Sequence, residues 1–210
     1  MKLYYRIIPE RTIWMKIKNP DEKPEEKILD AALEVVIEKT ICGTRMHLIA
    51  DRAGMVQSNL HYYYKTKNDL MLALQKKVLK RCLEIRDRLK LDANSTLEDQ
   101  LDVFMKQKLE FIVKEEAYDY AEIDFWVQGH INEEIRTAFA ASFEGWRKEI
   151  GEILDKFEPD MPKQKREYLP YLVVSVLEGA SMQYLIHKES FNVEEYFQFC
   201  KNIIIKTMKE

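Results

Sequence analysis

The stretch TRMHLIADRAGMVQSNLHYYYKTKNDL, residues 44–70, reads as two short helices around a tight turn, with a third helix starting at once behind them. Met46, Ile49, Ala50 and Ala53 recur at the spacing of about 3.6 residues that gives a helix one apolar face. The small side chains of Ala50 and Ala53 leave room for a second helix to cross closely. Thr44 stands where an N-cap hydroxyl would accept from a free first-turn amide. Gly54 follows the last periodic residue, where a left-handed position costs glycine least. After the Met55-Val56 turn, Leu60 and Tyr64 are spaced to face inward, which leaves Gln57, Ser58, Asn59, His61 and Tyr62 outward. Thr66 with Asp69 has the spacing of a capping box. Lys67 falls in that helix's first turn, a poor place for a cation against the helix dipole unless a phosphate lies near.

Two helices set around a turn are how small helical domains present a recognition helix to a DNA groove. The outward set suits that use. Gln and Asn amides can donate and accept together on an adenine edge, and Ser, Tyr and Lys suit phosphate oxygens. The same geometry also serves helical proteins whose outward polar residues meet only water.

From residue 25 to about residue 74 the chain resembles the DNA-binding domain of the TetR family of bacterial transcriptional regulators. Carrying the resemblance are Ala31-Ala32, Thr44, Ile49-Ala50, Ala53-Gly54-Met55-Val56, Leu60-His61-Tyr62-Tyr63-Tyr64 and Lys67. Four positions depart from it. Val56 replaces the usual capping Ser or Thr, Thr40 the glycine that commonly ends the first helix, His61 a frequent aromatic, and Ser58 a frequent glycine. The resemblance implies that Gln57, Ser58 and Asn59 approach bases. It has His61, Tyr62 and Tyr63 touch phosphates or flanking base edges, and Thr44, Arg45 and Lys67 hold the DNA backbone. An imidazole ordinarily titrates at about 6.5, so His61 could make operator binding depend on pH.

The 210 residues, 46% of them hydrophobic, suffice for a sizeable core. No uninterrupted apolar stretch approaches the roughly 20 residues of a membrane span, residues 168–186 being broken by Pro170 and Glu178. A cytoplasmic, non-membrane protein is expected. Residues 1–22 read as an N-terminal arm, disordered or an upstream start with Met15 the true one; an arm following the minor groove is the alternative. Residues 1–70 hold 12 Lys and Arg against 10 Asp and Glu, and the rest 21 against 26, a small bias of the sign expected for an N-terminal DNA reader. Cys42, Cys82 and Cys200 are scattered and odd in number, which suits a reduced compartment.

Between Pro24 and Pro159 there is no proline and no strand-like alternation, so long helices fill the interval. The expected fold is all-α with about nine helices: a three-helix helix-turn-helix domain over 23–70, then a larger effector-binding and dimerisation domain over 71–210. A helix over 67–91 joins the two without a flexible linker. Ser95 with Glu98 is the expected capping box of the next helix, whose inward stripe is Leu97, Leu101, Phe104, Lys108 and Phe111. A sixth helix is read over 118–129. Asn132 and Asn192 are expected caps, and the helix over 162–187 is expected to kink or restart at Pro170. The last helix carries apolar residues around more than half its circumference and must be buried on two sides. Val176, Gly179, Ala180, Phe197, Cys200 and Ile204 are the expected homodimer contacts.

The resemblance places an effector pocket among the fifth to eighth helices. Its candidate lining is Phe111, Tyr118, Glu122, Phe125, Trp126, His130, Phe143, Trp146, Met182 and Tyr184, although aromatic stripes at this spacing are more often plain core. Glu122, Trp126 and His130, four apart, form the preferred trio; a buried Glu would favour a cationic or hydrogen-bond-donating effector. Enzyme motifs are missing: the six glycines are isolated, the four histidines lie far apart, and no nucleophile signature occurs. Neither a catalytic residue, a metal site nor a cofactor is expected. The function expected is that of a homodimeric repressor released from a palindromic operator by a small molecule. A helical interaction adaptor that does not bind DNA is the alternative.

Overall fold

The structure, a computed structural model, describes residues 23–89, 91–92 and 94–209. The expected N-terminal arm over 1–22 lies outside them. Among the described residues there are nine helices and no strand.

Helix α1 spans Pro24–Gly43, with proline in its first turn, where the missing N–H costs nothing, and Glu25 and Glu26 favoured there by the dipole. Ile28, Leu29, Ala32, Val35 and Val36 form its buried face. Near its end Thr40 takes φ 60 and ψ 167, breaking the regular helix. The unusual threonine of the sequence therefore sits in a conformation that glycine adopts far more readily. Helix α2 (Met46–Ala53) buries Ile49, Ala50 and Ala53 and ends at Gly54, left-handed with φ 66, as its position required. Helix α3 (Gln57–Tyr63) is pinned by fully buried Leu60, and Tyr64 follows as its C-cap, packed against the core.

Helix α4 (Lys67–Leu89) opens on the expected box: Asp69 Oδ2 accepts from the Thr66 N–H at 2.9 Å, and Thr66 Oγ1 from the Asp69 N–H at 3.1 Å. It runs from the N-terminal helices into the larger half, packing against α1 and against helices α5 (Leu97–Lys114), α6 (Glu116–Gln128) and α7 (Glu133–Phe157). The box opening α5 is Thr96 with Asp99, one residue later than expected; Ser95 instead donates its hydroxyl to the Asp92 carbonyl at 2.7 Å. Asn132 and Asn192 do accept from the third residue of their helices, at 3.2 and 3.1 Å.

Helix α8 (Lys163–His187) continues through Pro170 without a restart. By length and composition alone it could cross a membrane, but Val173, Val174, Leu177 and Ala180 are buried within the subunit, as in a core helix. Helix α9 (Val193–Lys209) lies against α5 and α8.

Candidate functional sites

Recognition-helix geometry follows from one anchor. Leu60 is wholly buried while Gln57, Ser58, Asn59, Tyr62 and Tyr63 are exposed, Tyr62 at 76%. The Tyr62 and Tyr63 rings meet edge to face, their centroids 5.2 Å apart. Val56 precedes the helix without any side-chain cap, leaving first-turn amides available to an outside acceptor. His61 is bracketed within its own helix end, Nε2 3.2 Å from Gln57 Nε2 and Nδ1 3.2 Å from the Lys65 carbonyl. A neutral ring protonated at Nδ1 satisfies both contacts.

Three expected backbone-holding residues are placed differently. Thr44 does not cap α2; Arg45 occupies the N-cap position, and the Thr44 hydroxyl, completely buried, donates to the Thr40 carbonyl at 2.7 Å. Thr44 therefore has no hydroxyl to offer a phosphate. Arg45 donates to the carbonyls of Cys42 and Thr44 at 2.8 and 3.0 Å. Lys67 reaches the Ile41 carbonyl at 2.5 Å, so the carbonyl end of α1 offsets its ammonium. Burial, then nearby Arg45, lowers the Lys67 ammonium from its ordinary value.

The N–H of Ile41 donates to Asp124 Oδ2 of α6 at 2.5 Å. Gln128 of α6 donates to Cys42 Sγ at 3.2 Å. The end of α1 is thus gripped by α4 through Lys67 and by α6 through Asp124, right beside Thr40. Burial raises the Asp124 carboxyl above its usual range, against the pull of the Ile41 N–H and Lys67.

The expected effector lining divides. Phe111 and Phe125 are fully buried core, and Trp146 nearly so. Trp126, Phe139, Phe143 and Trp146 form a chain of ring contacts 6.2–6.4 Å apart. His130 is exposed because α6 has already ended at Gln128, and Met182 faces outward at 53% exposure, so neither lines an interior site. Tyr118 is half-buried, its ring 6.4 Å from Phe111. Tyr184 instead borders an open cleft of about 480 Å³ with Leu109, Val113 and Phe191.

Glu122 is buried and ion-paired. The Lys108 ammonium donates to Glu122 Oε2 at 2.8 Å and to Glu178 Oε2 at 2.7 Å, and lies 3.3 Å from Asp119 Oδ1. Asp119 also accepts the Ser181 hydroxyl at 2.7 Å. Burial alone would lower the Lys108 ammonium, but the three carboxylates outweigh it and hold it well above its ordinary value. Burial pushes Glu178 up to about 8, since one ammonium shared among three acids cannot fully offset it, and Glu122 is raised for the same reason. Lys108 was visible as the polar member of an apolar stripe; nothing in the sequence singled out Asp119, Glu178 or Ser181 as its partners.

The residues expected at a homodimer contact also divide. Ala180, Phe197, Cys200 and Ile204 pack inside the protomer's own core, where α8 and α9 close on their neighbours, and have no surface for a partner. Val176 and Gly179 lie half-buried on an α8 face that also exposes Leu172, Met182 and Ile186. A Cβ at Gly179 would meet nothing within 4 Å. On α9, Phe199 and Ile203 are exposed.

A buried anchor, an outward polar helix and a glycine-ended helix before it make a helix-turn-helix unit, the arrangement by which small helical domains present a helix to DNA. Residues 28–74 match the sequence model for bacterial regulatory proteins of the tetR family. The match covers the helix-turn-helix unit and the start of α4. It is 22% identical over 187 residues, 88% of this chain and 90% of the other, to an uncharacterized HTH-type transcriptional regulator in the dhlA 5′ region of Xanthobacter autotrophicus. Two solved structures share the fold. A putative transcriptional regulator from Saccharomonospora viridis in complex with choline is 18% identical, with TM-score 0.74 over 86% of this chain and 94% of that one. The regulator FadR from Bacillus subtilis in complex with stearoyl-CoA is 14% identical, with TM-score 0.71 over 85% and 96%.

Proposed function

We propose that the protein is a cytoplasmic homodimeric repressor, released from a palindromic operator by a small-molecule effector. Residues 23–70 read DNA, and the remainder binds effector and partner. The observation that carries the reading is α3: Leu60 fixes it while Gln57, Ser58, Asn59 and Tyr62 are left bare for a major groove. Arg45 and Lys67 add positive charge behind it, though each is already engaged with a carbonyl.

The α8 face of Leu172, Val176, Gly179, Met182 and Ile186, with Phe199 and Ile203 of α9, supports dimerisation. It is apolar, and Gly179 at its middle lets a second helix approach closely. An obligate interface of this type commonly buries about 2,000 Å² or more. Two readers would then enter successive major grooves about 34–36 Å apart.

Effector control follows from the grip on α1. A ligand that shifts α6 moves Asp124 and Gln128, and with them Ile41 and Cys42 at the end of the helix that carries the reader. Such a ligand acts only through unequal affinity for the two arrangements, and a 100-fold preference would supply about 2.7 kcal/mol of coupling. The likeness to folds solved with choline and with stearoyl-CoA supports a small-molecule effector without deciding its class.

Selection of bound fragments from random duplex DNA tests the reading. A twofold-symmetric site with half-sites one turn apart is expected; failure to enrich any sequence, or enrichment of a lone half-site, overturns it.

A further inference from the structure

The Lys108 cluster sets three carboxyl groups against one ammonium. One ammonium of α5 faces the carboxylates of Asp119 and Glu122 of α6 and Glu178 of α8, whose side chains are 1, 2 and 10% exposed. With every group ionised the cluster is two charges negative, in surroundings where an uncompensated charge is costly. Arg86 of α4, another buried cation, has its own contacts: its Nη2 is 3.4 Å from Glu149, and its guanidinium lies 5.5 and 5.6 Å from the Phe104 and Trp146 ring centres. Two buried polar atoms at the cluster have no protein partner, Glu178 Oε1 and Trp126 Nε1. The walls are aromatic. The Lys108 ammonium lies 5.3 Å from the Phe111 ring centre and 5.8 Å from that of Trp126.

Carboxylates beside ring faces suit a weakly hydrated cation. Hard metal ions suit the cluster less, because calcium takes about six to eight oxygen ligands and has no use for ring faces. Among the described residues no group of His, Cys, Asp and Glu has a metal-holding arrangement.

We propose that this cluster is the effector receptor and that it takes a small organic cation, a protonated amine or quaternary ammonium, whose charge is met by the free oxygen of Glu178 and whose carbon skeleton lies against Trp126. The Lys108 ammonium already occupies the carboxylate-and-ring environment that such a ligand would extend. The assignment of role rests on the effector reading above; the binding itself does not.

Calorimetric titration of the full chain with tetramethylammonium and butylammonium chlorides, at matched ionic strength, tests it, with tert-butanol and butan-1-ol as neutral counterparts. Saturable binding of at least one cation is expected, with neither alcohol binding. Glu178→Gln keeps the shape and removes the carboxyl that a bound cation would hold ionised, and should weaken the cation at least tenfold without lowering the melting temperature. Lys108→Met removes the built-in competitor; where it folds, the cation should bind at least tenfold tighter. If neither cation saturates the protein, if the alcohols bind equally well, or if E178Q leaves affinity unchanged, the site is overturned and its excess charge is met by protons alone. If the cation saturates the protein but leaves affinity for the selected duplex unchanged, the site stands as a cation site and the effector reading fails. Release by a neutral or anionic compound, with both cations inert, overturns the site and leaves the effector reading standing.

Discussion

Replacing Thr40 by glycine should stabilise the protein, against the usual direction of a substitution within a helical segment. At φ 60 and ψ 167 the threonine lies in a region that is essentially glycine-only, and its branched Cβ worsens the crowding. A residue held there costs on the order of 1–3 kcal/mol. Glycine removes that strain but loses more freedom on folding, which offsets about 0.5–1 kcal/mol. The side chain is exposed, so little packing is lost. The bonds that hold the turn use the Thr40 backbone, its carbonyl accepting from the Thr44 N–H and hydroxyl at 3.0 and 2.7 Å, and these survive the change. The net expectation is a gain of up to about 2.5 kcal/mol, centred on about 1 kcal/mol, each kcal/mol lifting the melting midpoint by about 2–4 °C in a chain of this size. Urea unfolding and thermal melts at one fixed protein concentration measure it, since a dimer's midpoint moves with concentration. Thr40→Ala is the control: it keeps a Cβ, so it should stay within about 0.5 kcal/mol of the parent. A Thr40→Gly protein that melts at or below the parent, or an alanine variant that gains as much, refutes the strain argument.

Asn59→Ala should weaken operator binding by about 1–3 kcal/mol with unchanged melting, measured by fluorescence anisotropy on the selected duplex; equal affinity removes Asn59 from the base-reading set. Asp124→Ala leaves the Ile41 N–H without its acceptor and should cost about 1–3 kcal/mol in urea unfolding; a neutral result means that α6 does not hold α1 through this bond. Burial holds Glu178 at about 8 in the folded chain, above an unfolded value of about 4.5. The folded state therefore binds a proton that the unfolded state releases, and this group's contribution, full below about pH 4.5, is lost as pH rises through about 8. The stability of E178Q relative to the parent should climb across that window, and a flat difference would sink the reasoning. Leu172→Arg places a charge in the exposed α8 face and should give monomers by analytical ultracentrifugation; an intact dimer would place the interface elsewhere.

Local signals in the chain were sufficient wherever a structure depends on neighbours in sequence. Gly54 ends α2 in a left-handed turn, Leu60 and Tyr64 face inward, and Thr66-Asp69 forms its box, because each depends on spacing within one or two turns. The box misjudged by one residue, Ser95-Glu98 for Thr96-Asp99, involves adjacent hydroxyls with equivalent partners three residues on, and the chain turn at Asp92 decides between them. The intramolecular contacts of Thr44, Arg45 and Lys67 were illegible for another reason. Each has chemistry that suits a phosphate and also meets a carbonyl near the end of α1, and those contacts depend on how three helices meet. His130 missed the interior because α6 stops one residue before Gly129, and Ala180, Phe197, Cys200 and Ile204 missed the outer surface because their own subunit already covers them.

By itself, then, the order of residues settled the helices, the inward stripe that includes Lys108, and the polar face of the reader, since periodicity and capping act over a few residues. Only the tertiary arrangement put Asp119, Glu122 and Glu178 around one ammonium and set Asp124 against Ile41. Those partners lie 11, 14, 70 and 83 positions apart, each pair on two different helices, so no helical period connects them. A charged side chain on an apolar face states that it needs a counter-charge; where that charge comes from is decided by which helices pack together.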